Sequence, residues 1–346
     1  MVCTECHSAP SNGECGLSRT YNSRYNGYFS EINRANHRLV DDLCHYFCQQ
    51  ARDNVEIVAK FINSDTNSDT SKFRPLDRCE AIINFYEPAQ WYASPEQGEI
   101  KRALFGQRKI NGIIRSYGTD ITVVAHEFCH GLIQQIKEEI NSEYSQSPEK
   151  IRRKDDEFSE KNALEESFCD IFAVLVRNNH RDDGSYWNNP HNWLWDVGEN
   201  FQEGTGSLRQ LDQLLSLRFT DAGSVYGQID WNTAKNYHEL SLIHSHAFYR
   251  LMTIHNTVIN GQPLFNGEFA LNLFGAVLED ISELDSFSES RRVFKERAKK
   301  SLKASPRQLD AISQAFTDVG MWDRKRNLIT LLSSLKKWLI AKLRKY

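Results

Sequence analysis

The stretch ITVVAHEFCHGL, residues 121–132, decides how the rest of this 346-residue chain is read. It contains H-E-x-x-H as His126, Glu127 and His130. At about 3.6 residues per helical turn, side chains four apart share a face, so both imidazoles can converge on one ion. Glu127 sits one residue round, where its carboxylate reaches a water at that ion without itself becoming a ligand. Val123, Val124, Ala125, Phe128, Leu132 and Ile133 surround the motif and predict a buried helix. A chance match would leave the polar groups in water. Buried imidazoles and a buried carboxylate need partners, and a metal supplies them. Zinc suits two imidazoles plus a carboxylate, with one tetrahedral position left open.

The third ligand is sought on ALEESFCDIFAVLV, residues 163–176. Glu166 and Asp170 lie four apart on a face shared with apolar neighbours. Glu166 as ligand and Asp170 as acceptor from a ligand imidazole N–H would satisfy both acids; the alternative is ion pairing with a Lys or Arg elsewhere. Glu165 is expected to point away from the metal.

Working outward, a composition of 40% hydrophobic and 25% charged residues is that of a globular protein and excludes a disordered chain. The formal net charge of -4 argues for no nucleic-acid partner. The start, MVCTECHSAPSNGECG, shows neither a basic region nor an apolar one, so no secretory signal is read and the protein is expected to stay inside the cell, with unconventional export left open. No apolar run is long enough to span a bilayer. Eight cysteines that stop at Cys169 disfavour a disulfide framework. Cys3, Cys6 and His7 spell a haem-attachment pattern and, with Cys15, a conceivable zinc knuckle, set against a disordered terminus.

Residues 1–35 read as a loose N-terminal arm and 36–125 as a mixed α/β domain, helical over 37–62 with strand character over 80–92 and 107–115. From residue 126 to 322 the chain reads as a helical catalytic domain, the helical pattern running over 120–139, 160–178, 238–255, 267–283 and 306–317. The tail 323–346 has eight Lys/Arg against one acid, with leucines at helical spacing. Such a basic amphipathic helix suits a membrane surface, a partner protein or the protein's own body.

These words resemble the thermolysin-like neutral metallopeptidases, a gluzincin family, of which this chain reads as a divergent member. VVAHEFCH matches the family's VVAHExxH, and E-E-S-F-C-D-I-F its N-E-x-x-S-D-I-F. WDVGENF and GSLRQL within 195–211, HELSLIHSHAFY (238–249), SFSESRRVF (286–294) and AFTDVG (315–320) follow in the family's order. The resemblance implies an α+β two-domain fold with the zinc cleft between the domains, one Zn2+ per chain and a peptide or protein substrate. It implies Glu127 as general base, His238 as the histidine facing the oxyanion, Arg209 as the substrate-binding arginine, and Val123 and Leu208 as walls of a primed-side pocket that prefers a hydrophobic residue after the cleaved bond.

Several positions depart from the family. Thr122 and Arg177 replace acids that serve structural calcium there, which predicts that this calcium site is absent. Thr233 replaces the aspartate that orients the oxyanion histidine, leaving Asp230 as a substitute. A slipped register would give that role to His244 or His246. Glu157 or Phe158 stands where an assisting tyrosine is usual, and Pro88 replaces an asparagine of the substrate-binding edge strand. These changes keep a second reading in view: a protein with this fold that binds a metal or a partner and does not cleave peptides.

Overall fold

The computed structural model describes residues 3–4, 37–63, 79–85, 89–93, 101–143, 159–181, 185–199, 201, 207–212 and 237–321, and its architecture is α+β. Pro88, Glu157, Phe158, Asp230, Thr233, Cys6, His7, Cys15 and the basic tail lie outside these residues.

The first part combines one long helix, α1 (His37–Asn63), with a five-stranded sheet. The strands are β1 (Cys3–Thr4), β2 (Cys79–Phe85), β3 (Gln90–Ala93), β4 (Lys101–Ile110) and β5 (Ile113–Ser116). β4 is central: it runs parallel to β2 and antiparallel to β3 and β5, while β1 extends the sheet parallel to β2. The strand character expected over 107–115 divides between β4 and β5 at Asn111 and Gly112, at φ 51° and 80°. Consecutive positive φ values make the two-residue hairpin turn whose twist matches the flanking strands, and Asn-Gly tolerates it best. On α1, Phe47, Ala51, Val55, Val58, Phe61 and Ile62 are buried at intervals of three, four or one, one apolar stripe. That stripe comes close to the 3-10 turn Tyr117–Thr119: a Cβ on Gly118 would stand 2.9 Å from the Ala51 Cβ.

The second part is helical: α2 (Ile121–Glu143), α3 (Glu160–His180), α4 (Tyr237–Met252), α5 (Gly267–Leu278), α6 (Phe287–Lys300) and α7 (Pro306–Asp318). Their starts are capped as their sequences require. Asp120 accepts from the Thr122 amide at 2.8 Å, Ser159 from Asn162 at 3.1 Å, and Ser305 closes a reciprocal capping box with Gln308. α3 is buried almost all round because α2 and α4 both pack on it. Phe168 on α3 meets Phe274 of α5 and Phe294 of α6, the aromatic centre of this half. Two expected helices end early: α4 stops at Met252, and the 267–283 pattern divides into α5 and a 3-10 turn at Ile281–Glu283.

Among the described residues there are also two short ladders, β6 (Asp196–Val197) with β7 (Arg209–Gln210), and β8 (Val258–Ile259) with β9 (Gln262–Pro263). Among the described residues no helix is long and apolar enough to cross a membrane.

Candidate metal centre and cleft

A cavity of about 700 Å³ opens between the edge strand β3 and the helices, walled by Gln90 and Trp91 on one side and by α2, α3, β7 and the start of α4 on the other. The Trp91 indole N–H donates to Gln134 of α2 at 2.7 Å, tying the sheet edge to the helix that carries H-E-x-x-H. His126, Glu127, His130, Glu166, Val123, Leu208, Arg209 and His238 all line this cavity.

The helical spacing places His126 Nε2 and His130 Nε2 3.2 Å apart. α3 brings the Glu166 carboxylate to both: Oε2 is 3.3 Å from His126 Nε2, and Oε1 is 3.4 Å from His130 Nε2. Donors about 2.0–2.2 Å from one tetrahedral ion stand about 3.3–3.6 Å from one another, so this set has the spacing a single dication needs. Glu166 Oε2 is buried against His126 Nε2 at 3.3 Å and His238 Nδ1 at 2.9 Å without a well-aligned hydrogen bond to either, a crowded carboxylate oxygen of the kind that a cation satisfies. On the other side of the His126 ring, Nδ1 lies 2.9 Å from Asp170 Oδ1.

Cys169 was counted in the sequence but assigned no role there. Its sulfur lies with His126 and His130 in a group whose ligand atoms are all within 4.8 Å of one another, so a His-His-Cys set is also geometrically available. The Glu166 carboxylate faces both imidazoles, at 3.3 and 3.4 Å, and is the other candidate for the third donor. No local pattern could have revealed Cys169, because its approach to His130 depends on how α2 and α3 pack.

The electrostatics are those of a site built around positive charge. Burial opposes ionisation of Glu166, but contacts with His126, His130 and His238 outweigh it and hold the carboxylate far below its usual range. Burial and the Arg209 guanidinium push His126 down; Asp170 and Glu166 push harder the other way, leaving it at about 9. For His130, burial lowers the affinity for a proton and contact with Cys169 and Glu166 raises it further. Burial is also the main cause that lifts Glu127 above an ordinary glutamate, against the pull of His126 and His130. A carboxylate so raised is a better proton acceptor.

Arg209 reaches into the same cluster. Its Nε is 2.8 Å from Asp170 Oδ1, and its Nη2 is 3.2 Å from His126 Nδ1. His238, at the start of α4, is partly exposed and has Nδ1 2.9 Å from Glu166 Oε2. The two histidines of the alternative register are elsewhere. His244 is fully buried between Ser167 and Ser290, and His246 is buried with Nδ1 2.8 Å from the Leu211 carbonyl. Neither lines the cavity. Glu165, expected to point away, lines it and pairs with Lys137, a residue that no motif singles out.

With this geometry in hand, comparison with known proteins is specific. Residues 158–321, somewhat less than half of the chain, match the thermolysin metallopeptidase alpha-helical domain. None of the curated proteins matches the chain.

Proposed function

We propose that this thermolysin-like chain is a zinc-dependent endopeptidase in which His126, His130 and Glu166 hold the metal. The observation that carries the reading is the triangle of two Nε2 atoms and one carboxylate, with separations of 3.2, 3.3 and 3.4 Å, on the wall of a cleft large enough for a peptide. Zinc bound there supplies Lewis acidity, bringing the pKa of water to about 7 and polarising a substrate carbonyl.

The protein's own groups do the rest. Glu127 takes a proton from the attacking water and passes it to the departing amine, a role that its burial favours. Asp170 holds Nδ1 of His126, so that Nε2 faces the metal position. His238 donates to the oxygen on which negative charge develops, and Arg209, steadied by Asp170, donates to a substrate backbone carbonyl. Val123 and Leu208 line the cleft beside Arg209 and favour a hydrophobic residue after the scissile bond.

Cleavage of a peptide library by zinc-loaded protein, with and without chelator, tests this together with Glu127→Gln. The expected result is chelator-sensitive cutting that prefers a hydrophobic residue on the primed side. In Glu127→Gln, turnover should fall by about 100-fold or more while zinc content is unchanged. Zinc-loaded wild-type protein that cuts nothing would transfer the reading to a metal-binding or partner-binding protein of the same fold.

A further inference from the structure

Arg177, in the last turn of α3, reaches over to the β6 segment. Its Nη1 donates to the Asp196 carboxylate at 3.2 Å and to the Asp196 carbonyl at 3.3 Å, and its Nη2 donates to Glu199 at 2.7 Å. The Ser207 hydroxyl donates to the same Asp196 oxygen at 2.9 Å. From the other helix, the Thr122 hydroxyl accepts from the Gly198 amide at 2.8 Å and itself donates to Asp120. Residues 196–199 are therefore tied to both ligand-bearing helices.

That segment carries the cleft's substrate-facing edge. Val197 of β6 is paired with Arg209 of β7, the Leu208 amide donates to the Gly198 carbonyl at 3.0 Å, and the Leu211 amide donates to the Trp195 carbonyl at 2.8 Å. Leu208 and Arg209 thus enter the cavity from a ladder that is held in place through Asp196 and its neighbours.

The family resemblance implies structural calcium in this region, and the residues present do not fit it. A calcium site needs about six to eight oxygen ligands. Here Thr122 and Arg177 occupy two of its acidic positions; a guanidinium offers five donors, no acceptor and a permanent positive charge. Asp196 and Glu199 are already satisfied by that guanidinium.

We propose that Arg177 is a built-in substitute for the divalent cation: a positioning residue that neutralises Asp196 and Glu199 and so sets Leu208 and Arg209 at the cleft without calcium. The claim does not depend on peptidase activity. The test uses the full-length zinc-loaded chain, with melting temperature measured in calcium chloride and in chelator-free buffer depleted of calcium, and amide exchange followed over 195–211. Wild type should melt at the same temperature in both solutions. Arg177→Gln should speed exchange over 195–211 by about tenfold or more while leaving α5, α6 and α7 unchanged. If that variant does not fold, Arg177→Lys, which keeps the charge but loses the fork, should show a smaller acceleration confined to the same residues. If the chain cleaves peptides, Arg177→Lys should raise KM more than it lowers kcat. Calcium that stabilises the wild type, acceleration spread evenly over the helices, or exchange at 195–211 unchanged in both variants overturns the proposal.

Discussion

Asp170 on α3 holds Nδ1 of His126 on α2 at 2.9 Å, and the same carboxylate oxygen stands 2.8 Å from Nε of Arg209. One buried acid thereby orients a candidate metal ligand and a candidate substrate-binding arginine together. Asp170→Asn keeps the shape and removes the charge. It should weaken zinc binding by about 10–100-fold, measured by competition with a chromophoric chelator. An unchanged affinity would remove Asp170 from this role.

The choice between Glu166 and Cys169 as third donor can be read in a cobalt-substituted protein. Cys169→Ser should leave metal stoichiometry intact, and the wild-type spectrum should lack an intense thiolate-to-cobalt charge-transfer band. Glu166→Ala should lose the metal. A strong thiolate band that vanishes in Cys169→Ser would assign the site to the His-His-Cys set instead.

Stability should fall with acid in a way traceable to two histidines of the helical half. Burial lowers His244 from its ordinary 6.5 to about 3. Burial is also the leading cause for His246, at about 4, with the Leu211 carbonyl pulling up and Arg250 pushing down. Because both folded values lie below the unfolded one, the unfolded chain takes up protons first as pH falls. The stabilisation is complete above 6.5 and is lost as pH falls toward about 3 for His244 and about 4 for His246. Each histidine can add a slope of up to about 1.4 kcal/mol per pH unit. His244→Asn should therefore show a shallower loss of stability than wild type between those limits in denaturant titrations. Equal slopes in the two proteins would refute the assignment.

Gly118 lets α1 approach the turn that carries Tyr117 to the cleft. In Gly118→Ala the new methyl group would stand 2.9 Å from the Ala51 Cβ and 3.4 Å from that of Phe105, atoms fixed to backbone. Urea unfolding should register a loss of about 1–3 kcal/mol. A variant as stable as the parent would mean that the contact relaxes freely.

What could be read from the sequence was local. The spacing of His126 and His130, and of Glu166 and Asp170, follows from helical pitch, which depends on neighbouring residues alone. The apolar surroundings of both helices indicated burial, and burial of acids and imidazoles indicated compensation. The α+β order of elements followed from the change of hydrophobic period along the chain. Tertiary structure alone decided which oxygen faces which imidazole, that Cys169 approaches His130, that Lys137 meets Glu165, and that His238 lies at the cleft while His244 and His246 are buried. It also decided that Arg177 spans to Asp196 and Glu199. Those distances depend on how α2, α3, α4 and the β6–β7 ladder pack, and packing joins residues that are tens of positions apart and share no periodic pattern.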